Sequence, residues 1–239
     1  MTTATKSAAK SVTPAQVTRP MALSAWSRSR AKRVFDLACA LAAMIVAIPV
    51  MVAVAVLVRL TSSGPVLYRQ RRCGTDGCEF ELLKFRSMVH NRRNPGPGLT
   101  PAGDSRITPV GRMLRRWKLD ELPQLFNVIR GDMSLVGPRP DLPEYLADLP
   151  ARQRQVLCLR PGITGWATLH SRREEEVLVT VPPEMLCQFY RTVLLPQKIQ
   201  LDLEYGTRAT LWTDLAVLAK TFSAILNRNS RKIPQCPHH

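Results

Sequence analysis

Negative charge is scarce in this 239-residue chain, where 18 Asp and Glu stand against 34 Lys and Arg for a formal net charge of +16. Aromatic residues make up only 6%. Such a balance admits nucleic acid, an anionic membrane surface or phosphate-bearing small molecules as partners, and does not choose among them. Cysteine is sparse as well. Cys39, Cys73, Cys78, Cys158, Cys187 and Cys236 have neither the paired clusters of a zinc site nor the density of a disulfide scaffold, so they read as reduced thiols in a cytosol-facing protein. No P-loop or dinucleotide fingerprint occurs, which removes the case for a kinase-like ATP site, and no zinc-finger signature supports DNA binding. There is no internal repeat, and the length excludes a multi-domain machine.

The charge that is present is unevenly placed. Residues 1–118 carry 20 basic and 5 acidic side chains, whereas residues 119–239 carry 14 and 13. Residues 1–30 are rich in Ser, Thr, Ala and Arg without apolar periodicity, and read as a disordered basic tail. After Arg28, Arg30, Lys32 and Arg33 comes the longest apolar run, Leu37 to Val58, which holds 22 residues and no charge. As a helix it would measure about 33 Å, close to the roughly 30 Å hydrocarbon core of a bilayer.

Two features set this run apart from an ordinary span. Pro49 lies near its middle, where it removes a backbone donor and crowds the preceding turn. Basic residues also flank both ends, with Arg28 to Arg33 before and Arg59, Arg69, Arg71 and Arg72 after, whereas a single span carries its Lys/Arg excess on the cytoplasmic side. Residues 31–60 are therefore expected to form a re-entrant membrane helix broken at Pro49. A plain kinked span and a buried core helix are the alternatives. A secretory signal is not expected, because the run starts after more than 30 residues, is too long and leads into Arg-Leu-Thr-Ser-Ser rather than a small-residue cleavage site.

Residues 61–230 are expected to form a catalytic domain on the cytosolic face, followed by a tail at 231–239. Val66–Gln70 and Phe80–Arg86 read as two strands of a hairpin across Gly74 and Gly77. Asn91–Gly103 reads as a loop. Thr108 and Pro109 supply an N-cap and an N1 proline for a helix to about Trp117, and a second helix is expected from Asp120 to Gly131, with Leu122, Leu125, Phe126 and Ile129 on one face. The stretches Gly131–Pro140 and Arg160–Trp166 read as ordered loops. Leu211, Leu215, Leu218, Phe222 and Leu226 mark an amphipathic helix that is either core or interfacial. The fold class is α+β and mostly helical, a membrane helix with a small domain and amphipathic interfacial helices.

Asp120 and Glu121 are adjacent carboxylates behind Arg112, Arg115, Arg116 and Lys118. They suit an ordinary N-cap. The same positive surroundings would keep a carboxylate ionised, and an ionised carboxylate can be a nucleophile or a magnesium ligand. Arg139 stands between two prolines in Gly-Pro-Arg-Pro, so its donors are aimed in advance, as phosphate recognition requires. Arg160, Arg172 and Arg173 follow in similar loops.

Together, Lys32-Arg33-Val34-Phe35-Asp36, Gly64-Pro65, Gln70-Arg71-Arg72, Lys84-Phe85-Arg86-Ser87-Met88, Asp120-Glu121-Leu122-Pro123-Gln124-Leu125, Gly131 to Pro140 and Arg160 to Trp166 closely resemble the bacterial sugar transferases, the monotopic polyprenyl-phosphate phosphoglycosyl transferases, over about residues 30–226. The resemblance implies an enzyme of the bacterial inner membrane, its catalytic domain on the cytoplasmic face. It would move a sugar-1-phosphate from a UDP-sugar to undecaprenyl phosphate with release of UMP, using Mg2+. It also implies that Asp120 is the nucleophile of a covalent phosphosugar intermediate, that Glu121 assists it, and that both can hold the metal. Lys84, Arg115, Arg139 and Arg172 would hold substrate phosphates. Two positions depart from the family pattern: Ile48-Pro49 replaces a Ser-Pro pair, and Thr168-Leu169-His170-Ser171-Arg172 replaces the usual Gln-Val-Asn/Ser-Gly-Arg. The competing class, a membrane-tethered nucleic-acid-binding protein, explains the charge but neither the carboxylate pair nor the Gly-Pro-Arg-Pro loop, so no nucleic acid is expected as a partner.

Overall fold

The computed structural model describes residues 21–89 and 99–227. The apolar run forms the centre of a single helix, α1 (Arg30–Thr61), whose N-terminus is capped by the Ser29 side chain accepting from the Lys32 N–H. Its most apolar stretch has a mean hydropathy of 2.9, so by length and composition it can cross a membrane. Lys32, Asp36, Ala40, Met44, Ala47, Met51, Val54 and Val58 are buried, three or four residues apart, so one stripe of the helix packs on the domain along its whole length. Ile45, Val46 and Leu60 stay exposed on other faces. Pro49 lies inside the helix, and the backbone is helical on both sides of it. The expected break is therefore not a gap in the helix. Proline removes one donor, the one Ile45 would have accepted, and the remaining turns carry the helix through.

Both ends of α1 are fastened to the same body. Near its start, the Arg33 guanidinium donates to the Val128 and Ile129 carbonyls at 2.5 and 2.9 Å. At its end, Arg86 donates to the Val58 and Ser62 carbonyls at 3.3 and 2.7 Å, and also to the Pro65 carbonyl.

Two strands, β1 (Leu67–Cys73) and β2 (Glu79–Phe85), form the expected antiparallel hairpin, with β1 running on past Gln70 and β2 shifted by one residue. The register sets Tyr68 opposite Lys84. Helix α2 (Pro109–Arg116) begins on Thr108, whose side chain accepts from the Gly111 N–H at 2.9 Å, a cap of about 1 kcal/mol. A tight 3-10 turn, Leu119–Glu121, separates it from α3 (Gln124–Arg130), which ends at Gly131 with φ +101°. The carboxylate pair thus lies on that turn and not in the first turn of a helix. Lys118 adopts a left-handed φ of 57° that reverses the chain, and α3 starts only after Pro123.

The two Gly/Pro loops are more regular than expected. They contribute β3 (Ser134–Val136) and β4 (Gly162–Thr164), which pair in parallel with Ser134 opposite Gly162. Gly137 and Gly162 make this approach possible. A Cβ on either would meet the other loop's backbone at 2.2 Å. Short helices α4 (Pro143–Leu146), α5 (Ala151–Arg154), α6 (Trp166–His170), α7 (Glu174–Val179) and α8 (Leu186–Phe189) precede the longer α9 (Leu195–Arg208) and α10 (Leu211–Leu226).

One apolar cluster joins the α1 stripe to Leu82, Phe85, Leu114, Leu125, Val128, Val136 and Val217, and a second gathers Tyr145, Leu178, Tyr190, Leu195, Ile199 and Leu203. Within the stretch 1–30 expected as a tail, residues 21–30 are described, and Trp26–Arg28 forms a 3-10 turn. Residues 1–20 lie outside the described residues, but Ser24 donates to the Gly206 carbonyl at 2.8 Å and the Trp26 indole donates to Asp214 at 2.8 Å. Residues 90–98 of the expected loop and the 231–239 tail are also outside the described residues. Cys39, Cys73, Cys78, Cys158 and Cys187 are free thiols, and Cys236 is not described.

Candidate active site

Three elements converge on the carboxylate pair. The 3-10 turn buries both Asp120 and Glu121, each 7% exposed. From β2 comes Lys84, whose Nζ lies 3.2 Å from Glu121 Oε1, and from the Gly-Pro-Arg-Pro loop comes Arg139, whose Nη2 donates to the same oxygen at 2.8 Å. One oxygen of Glu121 therefore serves two cations. Asp120 is different: its Oδ1 is buried and has no hydrogen-bond partner.

The electrostatics follow this division. Burial raises the Glu121 pKa, but the charges of Arg139, Lys84 and Lys118 outweigh it and hold the carboxyl well below the usual range. For Asp120 burial dominates, the charge of Glu121 adds to it, and the opposing effects of Lys84, Lys118 and Arg115 leave its carboxyl above the ordinary aspartate value. Burial also pushes the Lys84 ammonium down to about 8, against the pull of Glu121. Arg139 is shifted the other way by Glu121 beside it and stays charged throughout.

The supporting contacts explain why these groups meet. Asn127, fully buried on α3, accepts from the Leu83 N–H at 3.1 Å and donates to the Glu81 carbonyl at 2.7 Å. It therefore clamps the β2 backbone next to Lys84. Arg139 stands three residues beyond β3, and the loop that carries it is fixed to the β4 loop by Gly137 N–H to Thr164 O at 2.9 Å and Gly162 N–H to Pro138 O at 2.8 Å. Arg72 donates to the Pro140 carbonyl at 3.2 Å and lies near enough to Arg139 and Lys84 to affect both.

Arg115 and Arg172 fall outside this inner group. Arg115 pairs with Glu175 at 2.5 Å, although its charge still reaches Asp120. Arg172 is exposed and its Nε donates to the Leu169 carbonyl at 2.9 Å. The structure thus brings Lys84, Asp120, Glu121 and Arg139 together, holds Arg115 at the edge, and leaves Arg172 on the surface. Asn127, Arg72 and Lys118 are the members that sequence reasoning did not single out. Arg72 and Lys118 lay inside basic stretches with nothing to separate them from their neighbours, and a lone Asn within a helix carries no signal.

Among the described residues no group of three or more His, Cys, Asp or Glu side chains forms a ready metal cage. A magnesium ion does not need one, since it commonly takes one or two protein carboxylates and completes its shell with water and substrate phosphates. The orphaned Asp120 Oδ1 is a donor of that kind.

Fold and site together define a class: an α+β domain packed along one long apolar helix, with a buried carboxylate pair set beneath basic side chains. The model of the bacterial sugar transferase family matches residues 27–228, and the chain belongs to that family. It is 40% identical over 204 residues to a UDP-glucose:undecaprenyl-phosphate glucose-1-phosphate transferase of Xanthomonas campestris pv. campestris, covering 84% of this chain and 40% of that protein. A protein of Caulobacter vibrioides with the same activity in its name is 37% identical over 210 residues, 83% of this chain and 71% of the relative. A UDP-N-acetylgalactosamine-undecaprenyl-phosphate N-acetylgalactosaminephosphotransferase of Aeromonas hydrophila is 36% identical over 200 residues, 82% of this chain and 43% of the relative. The chain thus spans about two fifths of the Xanthomonas and Aeromonas proteins.

Proposed function

We propose that this protein transfers a sugar-1-phosphate from a UDP-sugar to undecaprenyl phosphate, releasing UMP, as the initiating step of exopolysaccharide or glycoconjugate assembly. The observation that carries the reading is the asymmetry of the pair. Glu121 is tied to Lys84 and Arg139, whereas Asp120 keeps a carboxylate oxygen without a partner. A nucleophile needs such an oxygen, and the raised pKa of Asp120 makes it more basic than an ordinary aspartate.

In the first step an Asp120 oxygen attacks the phosphorus bonded to the sugar. The bond from that phosphorus to the bridging oxygen breaks, and UMP leaves with the electron pair. In the second step a phosphate oxygen of undecaprenyl phosphate attacks the same phosphorus, the Asp120 O–P bond breaks, and the free carboxylate returns. Neither attacking group needs to lose a proton. Lys84 and Arg139 supply fixed positive charge where the phosphate oxygens gather, and Arg115 and Arg172 are the outer candidates for that task. Mg2+ held by Asp120 and Glu121 would neutralise phosphate charge and polarise the phosphorus.

The UDP-sugar relatives and the apolar helix support a membrane enzyme, and we place it in the bacterial inner membrane with the domain on the cytoplasmic face. Re-entry of α1 is supported by the attachment of its two ends, through Arg33 and Arg86, to one body. The exposed Trp212, Phe222 and Leu226 of α10 suit an interfacial helix.

Lipid-depleted protein should release about one equivalent of UMP from one member of a UDP-sugar panel without acceptor, and should turn over repeatedly only when undecaprenyl phosphate is added. No release from any sugar would overturn the reaction. Topology has its own test, in which single cysteines replacing Ala22 and Ser63, in a chain freed of its own thiols, should label from the same membrane face. Labelling from opposite faces would make α1 a span.

A further inference from the structure

A second basic site lies at the start of α1. It is a cavity of about 320 Å³, within the range of about 300–1,000 Å³ typical of small-molecule sites, and its charged lining is Arg28, Arg30, Lys32, Arg33 and Arg160 against the single acid Asp36. It shares no lining residue with the cluster of Lys84, Asp120, Glu121 and Arg139.

The cations of this cavity are not equally engaged. Lys32 is held by Asp214 at 2.7 Å and Asp36 at 3.6 Å. Arg33 spends its donors on the neutral carbonyls of Val128 and Ile129, which leave its charge uncompensated. The side chains of Arg28 and Arg30 make no hydrogen bond or ion pair among the described residues, and the Nε of Arg160 is buried without an acceptor. Burial, and then the charge of Arg33, push the Arg160 guanidinium below its usual value, as befits a cation crowded by its own kind. A buried donor left unmade costs about 1–3 kcal/mol, so such a group marks a place where an acceptor belongs. Guanidinium forks gathered around one cavity suit a tetrahedral oxyanion.

We propose that this cavity binds a phosphate group, with Arg28, Arg30 and Arg160 as its ligating side chains, at a site distinct from the catalytic cluster. The phosphate belongs either to an anionic lipid headgroup or to a soluble phosphate. The Arg160 backbone also packs on Gly137, two residues before Arg139, so an occupied cavity would lie directly behind the loop that aims Arg139.

The full chain is prepared with the Arg139→Gln substitution, so that phosphate held at the catalytic cluster is not counted. Native mass spectrometry then measures retention of phosphatidylglycerol against phosphatidylcholine, and phosphorus NMR measures binding of inorganic phosphate to lipid-depleted protein. The expected result is selective retention of one of these phosphates, reduced about tenfold or more by Arg160→Gln and by the double variant Arg28→Gln, Arg30→Gln, and unchanged by Arg152→Gln, an exposed arginine outside the cavity. Retention of the lipid without binding of inorganic phosphate assigns the site to a headgroup; binding of inorganic phosphate with the same arginine dependence assigns it to a soluble ligand. Because Arg28 and Arg30 are exposed, their double variant tests the site even if Arg160→Gln impairs folding. Binding of neither phosphate overturns the proposal, as does binding that Arg152→Gln weakens equally or that the double variant leaves intact.

Discussion

The protein buries two groups of opposite charges, and they are finished differently. At the start of α1, Lys32 meets Asp36 and Asp214, and all four carboxylate oxygens are used. Asp214 accepts from Lys32 at 2.7 Å, Trp26 at 2.8 Å and Tyr205 at 2.7 Å, while Asp36 accepts from Ser134 at 2.8 Å and Leu135 N–H at 3.3 Å. At the carboxylate pair, one oxygen of Glu121 serves both Lys84 and Arg139, but Asp120 Oδ1 has no partner. The first group is a joint that fixes the tail-side segment, α1, α9 and α10 to one another. The second keeps one group unsatisfied, which costs stability and leaves an oxygen for substrate or metal.

This contrast is broken most decisively by exchanging the same chemistry at the two places. Asp120→Asn should lower UMP release by at least about 10³-fold, since the nucleophile is gone, with the thermal unfolding midpoint unchanged or raised because a buried charge beside Glu121 has been removed. Full activity in that variant would sink the nucleophile assignment. Asp214→Asn should behave in the opposite sense. It leaves Lys32 with only the longer Asp36 contact, and loss of one member of a buried pair costs about 3–5 kcal/mol. Denaturation of the detergent-solubilised protein should show a lowered midpoint, and an unchanged one would mean the joint is not structural.

The pH profile sharpens the comparison further. Lys84 is protonated below its folded pKa of about 8 and loses its charge as the pH rises through it. The rate constant kcat/KM should therefore fall above about pH 8, where Glu121 loses one of its two cations and the substrate phosphates lose a fixed charge. Arginine does not titrate in this range, so Lys84→Arg should flatten that alkaline limb even if it lowers the plateau. A limb that persists unchanged in Lys84→Arg would assign the titration to another group.

How far the sequence foretold these two places depends on whether local chemistry or tertiary packing decides. Thr108-Pro109 and Gly131 are local signals, and they mark the start of α2 and the end of α3 where the structure has them. The hairpin was legible for the same reason, whereas its lysine was singled out only through the family resemblance. Faces of helices were legible only in part. In the stripe Leu211, Leu215, Leu218, Phe222 and Leu226 on α10, Leu215, Phe222 and Leu226 are exposed, as the interfacial alternative has it, and Leu218 packs on the core, but the fully buried side carries Asp214 and Val217, because a carboxylate with three donors can be buried where the pattern expects an apolar residue. On α3 the periodicity placed Phe126 with Leu125, yet Phe126 is exposed and the polar Asn127 is fully buried. Both surprises are hydrogen bonds to distant segments, which no window of sequence contains.

Arg172 gives the smallest and most discriminating effect. The resemblance that assigned it to substrate phosphate rested on spacing after Trp166, in a stretch whose neighbours depart from the family pattern. In the structure its guanidinium is exposed and its Nε is engaged with the Leu169 carbonyl at 2.9 Å, whereas Arg139 donates directly to Glu121. A cation held at the reacting centre by a buried carboxylate contributes about 10²–10³ in rate, and one held in solvent away from it contributes little because water screens it. Arg139→Gln should thus lower kcat/KM by about 10² or more, and Arg172→Gln by less than about threefold, with Arg115→Gln between them because its charge is shared with Glu175. If Arg172→Gln instead costs as much as Arg139→Gln, the α6–α7 connection must bring it onto the bound substrate, and the inner cluster of four would be only part of the phosphate site.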